Sequence, residues 1–599
     1  MEGNRLVIGL DYGTTYTGVS FCESSKDKQA DHIEVIHDWP SQSSKNATQE
    51  KVPSEVAYRE EGILWGALIP ADVPRHMWTK LQLDPLQVGE VTKINREIAT
   101  SKENANKQPD DVITDYLAQV KAHLLKNLDQ KYGRTLWRTM PITLVVTVPA
   151  TWSDLAKSRT LGAVNKAGFN TLEFPQPVTT ILTTEPEAAA IYTIRTFRGT
   201  TQDAEFAVGD GFIVCDMGGG TVDLISYRVT GLNPTVIEEA TVGCGDQCGG
   251  SSVDRAFLRW LEGRIGTEDF HKIAGCRSEE VKYTSLEKRA AAMLQQFTSG
   301  PKAGFTGTES YIMPLPFPLS RIEDDESRGI SDGEITVTPD DMASMFQKSL
   351  AGTYKLVAKQ YGAATNTKKI KMKASSRILI YIFMVGGFSE SPYMRNKVTE
   401  FASEFKMAAK VPNYPWSSVS RGAVAVGLEA QKPEQGVVQN RKCRRYYGIP
   451  ATTSFESGEH RESDAYIDMH TGEKRARNQA SWLLSKGQDL ASTTRAPHTT
   501  MSFYTKFWPH EARTHRVKLI ATNSDEAPQH SYDKGVFSVV VLTIELSKVP
   551  KKEFKAKRSP DRSQYHEISF DVEISIQSAL QFSCSVKGKN VGSITAKYE

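Results

Sequence analysis

Two regimes of hydrophobic and polar positions run along this chain. Up to about residue 430, buried-strand patterns such as Leu6-Val7-Ile8-Gly9-Leu10 and Ile142 to Val148 alternate with helical ones such as Lys107 to Leu128. That alternation predicts an α/β protein. Beyond it the period shortens: Val536 to Leu546 and His566 to Ile576 alternate residue by residue, predicting a smaller β-rich domain. Between the regimes, Glu429 to Lys442 is polar and carries Pro433 and Gly436, which suits a linker. Acidic Glu323 to Gly333 reads as an exposed loop. The expected division is therefore 1–430, a linker over 431–442, and a β-rich domain over 443–599.

One long-range duplication stands out. Leu6-Val7-Ile8-Gly9-Leu10-Asp11 runs into Tyr12-Gly13-Thr14-Thr15-Tyr16 and a second apolar strand. Phe212-Ile213-Val214-Cys215-Asp216 runs into Met217-Gly218-Gly219-Gly220-Thr221 and then Val222-Asp223-Leu224-Ile225. Each copy is a strand ending in Asp, a small-residue turn and a returning strand, so the turn is a hairpin tip. A P-loop or Rossmann loop would lead into a helix. Glycines without Cβ let backbone N–H groups approach phosphate oxygens, and Thr14, Thr15 and Thr221 add hydroxyl donors. Asp11 and Asp216 stand where they could hold a hydrated Mg²⁺, which takes few carboxylates.

Three segments extend the pattern. Arg377 to Met384 forms a strand entering Val385-Gly386-Gly387-Phe388-Ser389-Glu390, with Ser391 and Pro392 as N-cap and first residue of the next helix. A Gly pair there leaves room for a flat base or ribose. Thr147-Val148-Pro149-Ala150 joins a strand to a helix, and a further helix begins at Pro186 with Glu185 just outside.

In this order, across residues 6 to 428, these segments resemble the phosphate, connecting and adenosine motifs of the DnaK-type heat-shock ATPase family. Actin and the sugar kinases share the duplicated hairpins, while Val148-Pro149-Ala150 and Glu185-Pro186 favour the heat-shock branch. The chain looks most like a divergent subfamily of animals and fungi, of the fungal type, through Gly386-Gly387-Phe388 with Glu390-Ser391, and through Asn478-Gln479 with Trp482-Leu483-Leu484. The resemblance implies an actin-like, duplicated ribonuclease-H-like ATPase domain, with lobe I at about 1–205 plus 395–430 and lobe II at about 206–394. It implies ATP or ADP and Mg²⁺ as ligands, with protein clients or co-chaperones as partners. By the same resemblance Asp11, Asp216 and Glu185 surround the metal and attacking water, and Lys80 is the catalytic lysine. Asp223 belongs to the second phosphate motif, and Gly245-Asp246 with Gly249-Gly250 resembles the loop that touches the β- and γ-phosphates. Each has a plainer reading beside it: a surface lysine, a helix-start acid, a hairpin-capping Asp, a turn before a helix.

Composition excludes more than it adds. With 39% hydrophobic and 24% charged residues the 599-residue chain reads as an ordinary globular protein of two to four domains. A formal charge of +2 gives no reason to expect nucleic acid, and the longest apolar run, Ile378 to Val385, is too short for a bilayer. Seven scattered cysteines and an N-terminus without a signal-peptide core predict a reducing, cytoplasmic setting. Cys244 and Cys248 are close, with no second pair or His to complete a zinc set. Seven basic residues against two acids between Lys548 and Arg562 read as a solvated hairpin.

The departures from the family concern the base and the C-terminus. Glu390 stands where an adenine-stacking Arg is usual, Trp416 replaces an acid before the last motif helix, and the ring-contacting Glu/Lys pair is poorly matched around Phe297 to Phe305. The linker lacks the family's Leu-rich character, and no helical lid is legible after it. The expected function is a slow Mg-ATP-dependent ATPase acting as an atypical chaperone or nucleotide-gated adaptor. A nucleotide sensor without useful turnover and a sugar-kinase-like phosphotransferase are the alternatives.

Overall fold

The apolar run of Leu6–Tyr12 is buried along its whole length, as expected of a strand covered on both faces. In the computed structural model it forms the middle of a sheet ordered Glu34–Val35, Tyr16–Glu23, Leu6–Tyr12, Ile142–Val148 and Val178–Thr184, with Val52–Pro53 also on Tyr16–Glu23. Residues 4–26, 32–42, 49–85, 87, 89–100, 107–197, 207–232, 235–366, 381–429, 438–491, 498–576, 580–590 and 594–598 are described. The chain falls into two units, Met1–Lys432 and Pro433–Glu599.

The first unit contains the plan twice. In the first sheet an antiparallel hairpin, with Asp11 opposite Gly18, is extended by parallel strands. In the second, Gly211–Met217 and Val222–Leu232 make an antiparallel hairpin with Asp216 opposite Asp223, again extended by parallel strands, Tyr381–Val385 and Ala408–Lys410. Parallel neighbours require crossovers, usually helical. Glu185–Phe197 follows the first sheet directly, and Pro392–Glu404 links the last two strands of the second. The helix Ser418–Glu429 packs against Glu185–Phe197 and the first sheet. A Cβ on Gly422 would lie 1.9 Å from the Ala188 carbonyl oxygen, and one on Gly9 would lie 2.4 Å from that of Ser420.

Several expectations shift. The return to lobe I, placed at residue 395, comes later. Met394, Val398 and Ala402 join the second-lobe core, and Ala408–Lys410 pairs with Tyr381–Val385. A parallel strand needed its crossover helix, so Ser418–Glu429 makes the return. The Lys107 to Leu128 helix spans Pro109–Leu136, with a kink where Gly133 takes φ 74°. In the acidic loop, Ile330 is fully buried and its short strand pairs with Glu334–Val337. Residues 377–380 of the expected adenosine strand, and 430–437 of the linker, lie outside the described residues. Val438–Lys442, assigned to the linker, is a strand.

The second unit is two stacked sheets. One runs Ala465–Ile467, Lys474–Leu484, Tyr446–Ser454, Thr514–Thr522, Val536–Glu545 and Ile594–Tyr598. The other runs His498–Phe507, Gln564–Ile576, Leu580–Val586 and Lys589–Asn590, with Lys555–Arg558 along Gln564–Ile576. Leu519, Val540, Leu542 and Ile544 from one sheet share a core with Met501, Phe570 and Val572 from the other, as period-two patterning directs. Basic Lys555–Arg558 is exposed throughout. Among the described residues no α-helix occurs in this unit, and no described helix in either unit is long and apolar enough to cross a membrane.

Candidate active site

Both hairpin tips open on one cavity of about 700 Å³ in the first unit. The tips meet there. A Cβ on Gly219 would lie 2.5 Å from Thr15 Oγ1, and one on Gly220 would lie 3.0 Å from Thr14 Cγ2. Of the residues expected at the site, Asp11, Gly13, Thr14, Thr15, Tyr16, Lys80, Glu185, Asp216, Gly218, Gly219, Gly220, Thr221, Asp223, Gly250, Gly386, Gly387 and Phe388 line the cavity, whereas Gly245, Asp246 and Gly249 do not. Gly249 supports the second tip from behind. The amides of Gly249, Gly250 and Ser251 donate to the carbonyls of Gly220, Gly218 and Gly219 at 3.2, 3.1 and 2.8 Å. Any Cβ at 249 would come 2.6 Å from the Gly218 oxygen.

Neither residue of the Gly pair has room for a side chain. Gly386 has φ +85°, where side chains are strained, and a Cβ there would lie 2.3 Å from Asp216 Oδ1. Gly387 faces Trp416, whose Cδ1 is 2.8 Å from where a Cβ would be. The Ser391 hydroxyl accepts the Met394 amide at 3.5 Å, capping the helix that Pro392 begins.

Charge is concentrated at the floor. Lys80, 3% exposed, donates to Glu185 Oε1 and also lies near the Trp152 ring. Burial pushes Glu185 up to about 7; the Lys80 charge opposes this, and the Asp11 and Asp223 charges reinforce it. Asp216 is pushed up to about 8 by burial and by the Glu185 charge, with Lys51 opposing. Asp223 is raised, chiefly by burial. Asp11 goes the other way. Burial would raise it, but the charges of Lys51 and Lys80 hold it below the ordinary carboxylate range.

Several residues here escaped the sequence reading. Lys51 Nζ donates to Asp11 Oδ2 at 2.7 Å, while Thr147 Oγ1 donates to Asp11 Oδ1 at 2.9 Å. Lys302 lines the cavity, donates to Asp254 Oδ1 at 2.5 Å, and lies 5.8 Å from the Phe388 ring. It falls within the poorly matched Phe297 to Phe305 stretch, carried by the short helix Pro301–Gly304. Arg255 reaches the rings of Trp78 and Tyr283. The Trp416 and Tyr16 rings meet edge-on at 5.6 Å. A lysine before Val52-Pro53 carries no motif; its partner is fixed by strand pairing, which a lone sequence does not display.

For a divalent ion the fit is uneven. Asp216 suits one, since a cation would satisfy a carboxylate that burial penalises. Both Asp11 oxygens are engaged by Lys51 and Thr147.

Comparison with known proteins agrees with this fold. The family model described as Hsp70 protein matches residues 7–427. Heat shock 70 kDa protein 12A of Mus musculus is 22% identical over 533 residues, covering 76% of this chain and 73% of the relative. Heat shock 70 kDa protein 12B of Homo sapiens is 23% identical over 525 residues, covering 76% and 72%. Chaperone protein DnaK of Mycoplasma mobile is 23% identical over 529 residues, covering 84% and 74%. The duplicated sheets are the lobes of an actin-like ATPase fold, and the chain belongs to the Hsp70 family of nucleotide-binding, chaperone-like proteins.

Proposed function

We propose that the first unit binds ATP between its lobes and hydrolyses it slowly, and that the chain works as an atypical chaperone or nucleotide-gated adaptor. The observation that carries this reading is the convergence of two glycine hairpins on the buried Lys80–Glu185 pair. Backbone amides at the tips would take the phosphates, and the Gly386–Gly387 turn with Phe388 and Trp416 would take the nucleoside. Lys80 would neutralise charge developing on the γ-phosphate, which is most of the work in phosphoryl transfer. Glu185, with its pKa pushed up to about 7, is poised to accept a proton from an attacking water near neutral pH. Mg²⁺, when bound, would sit at Asp216 and neutralise phosphate charge. Buried thiols such as Cys215 and Cys584, outside any disulfide, support a cytoplasmic setting.

Single-turnover incubation with ATP, analysed for ADP and free phosphate with and without candidate sugars, tests the reading. Phosphate release without sugar is expected. Tight binding without turnover would make the chain a sensor, and phosphate appearing on a sugar would make it a phosphotransferase.

A further inference from the structure

Lys51 is a buried ammonium inside a phosphate-binding cavity, and the nucleotide reading above leaves it unused. It is 7% exposed and belongs to the first hairpin by structure rather than by sequence. Val52–Pro53, immediately after it, pairs antiparallel with Tyr16 and Thr17. Its side chain crosses the hairpin over Gly18, where a Cβ would come within 3.2 Å of both Lys51 Cγ and Cε. Gly18 lies directly opposite Asp11, so the missing side chain at 18 is the channel through which the ammonium reaches the Asp11 carboxylate. Thr147 holds the other carboxylate oxygen. The two engagements fix Asp11 as the partner of a cation that belongs to the chain.

We propose that Lys51 is a tethered cation of the phosphate site, and that it makes nucleotide binding largely independent of divalent metal. The proposal rests on the reading that ATP binds in this cavity. Carboxylates lining the cavity include Asp11, Glu185, Asp216 and Asp223. A triphosphate entering them needs compensating positive charge, since unit charges a few ångströms apart interact strongly when water is excluded. Lys80 supplies one such charge and Lys51 a second. An ammonium has three N–H donors, so Lys51 can keep Asp11 and still donate to a phosphate oxygen.

The experiment is calorimetric titration of the full chain with ATP, in Mg²⁺ and in EDTA, on wild type, Lys51→Met and Lys51→Arg, with apo melting temperature as the check on folding. Wild type is expected to bind ATP less than about 10-fold more weakly in EDTA than in Mg²⁺. Lys51→Met is expected to enlarge that ratio at least about 10-fold, as removing a charge from a desolvated phosphate contact should. Lys51→Arg is expected to stay near wild type. A wild-type ratio of about 10-fold or more overturns the proposal even if Lys51→Met does not fold, and so does any smaller enlargement in a folded Lys51→Met. Absence of ATP binding in Mg²⁺ would instead sink the nucleotide reading, and this proposal with it.

Discussion

The two hairpins are the same device with opposite electrostatics. In each, an Asp ends the first strand and a residue seven positions later sits directly across the ladder, with side chains on one face. In the first hairpin that residue is Gly18; in the second it is Asp223. Gly18 admits Lys51, and Asp11 is held ionised. Asp223 puts a second carboxylate beside Asp216, which burial has already pushed up to about 8. A duplicated backbone therefore does not duplicate its chemistry. One cross-strand residue decides whether the strand-end Asp meets a cation of the chain or a second carboxylate.

Lys80 is the charge the two hairpins share, for it lowers Asp11, Glu185 and Asp223 alike. Its removal should produce the largest effect. Lys80→Ala is expected to cut single-turnover hydrolysis roughly 100-fold or more, the scale of losing a preorganised charge at the transition state. ATP affinity should stay within about 10-fold, because backbone amides carry much of the phosphate contact. An unchanged chemical step would remove Lys80 from the mechanism.

The tips can be separated next. Gly218→Val with Gly219→Val places one side chain against the Thr221 carbonyl of its own hairpin and the other against the Thr15 side chain across the cavity, where the flexible partner can yield. The ATP-induced rise in melting temperature, worth about 2.7 kcal/mol at 100 times Kd, should vanish. Gly13→Val differs, because a Cβ there would lie 2.2 Å from the Tyr16 carbonyl of its own hairpin; it should lower the apo melting temperature as well. If the double variant still responds normally to ATP, the second tip is not a phosphate loop.

The opposite pKa directions predict opposite pH behaviour in the apo protein. Asp11 is depressed below 3.8, so its contribution is present above the unfolded pKa and disappears as pH falls through the folded one. Asp216 is raised from 3.8 to about 8, so its contribution is full below pH 4 and is lost as pH rises from there towards 8. Asp216→Asn, neutral throughout, is expected to melt about 2–5 °C above wild type at pH 8 and to flatten the slope between pH 5 and 8. Asp11→Asn should melt lower than wild type at pH 7, because Lys51 loses its buried partner. Shifts of the same sign in both variants would break the contrast.

What the sequence displayed and what it hid follow from the same physics. Strand-end Asp, glycine tip and returning strand are contiguous, so the hairpins were readable from order alone, as were Gly386-Gly387 and the Ser391 cap. Glu185 and Lys80 were legible through family resemblance, since their meeting depends on elements 105 positions apart. Lys51 was hidden because its role depends on an absent side chain at Gly18, and glycine gives no sign of what passes over it. The lobe boundary slipped because Ala408–Lys410 is too short to announce itself, although it completes the second sheet.

The base end lies outside the duplication, and there the smallest effect is expected. Glu390 lines the cavity with Trp416 and Phe388. Burial raises its pKa, and Glu50 adds to this; Arg395 and Lys51 oppose it. A carboxylate here offers a purine no cationic plane to stack on and adds negative charge near a triphosphate. Glu390→Arg reverses the charge and supplies a planar guanidinium, which stacks on aromatic faces for about 0.5–1 kcal/mol at an exposed position. ATP affinity should therefore rise about 2- to 5-fold by calorimetry. Adenosine distinguishes the causes. If stacking produces the gain, adenosine binding improves by a similar factor and 0.5 M salt leaves it in place. If long-range charge produces it, adenosine gains nothing and salt removes the ATP effect, because exposed charges are screened within about 10 Å at 0.1 M salt. An unchanged or weakened ATP affinity would move the base away from Glu390 and leave only the phosphate end of the site defined by the two hairpins.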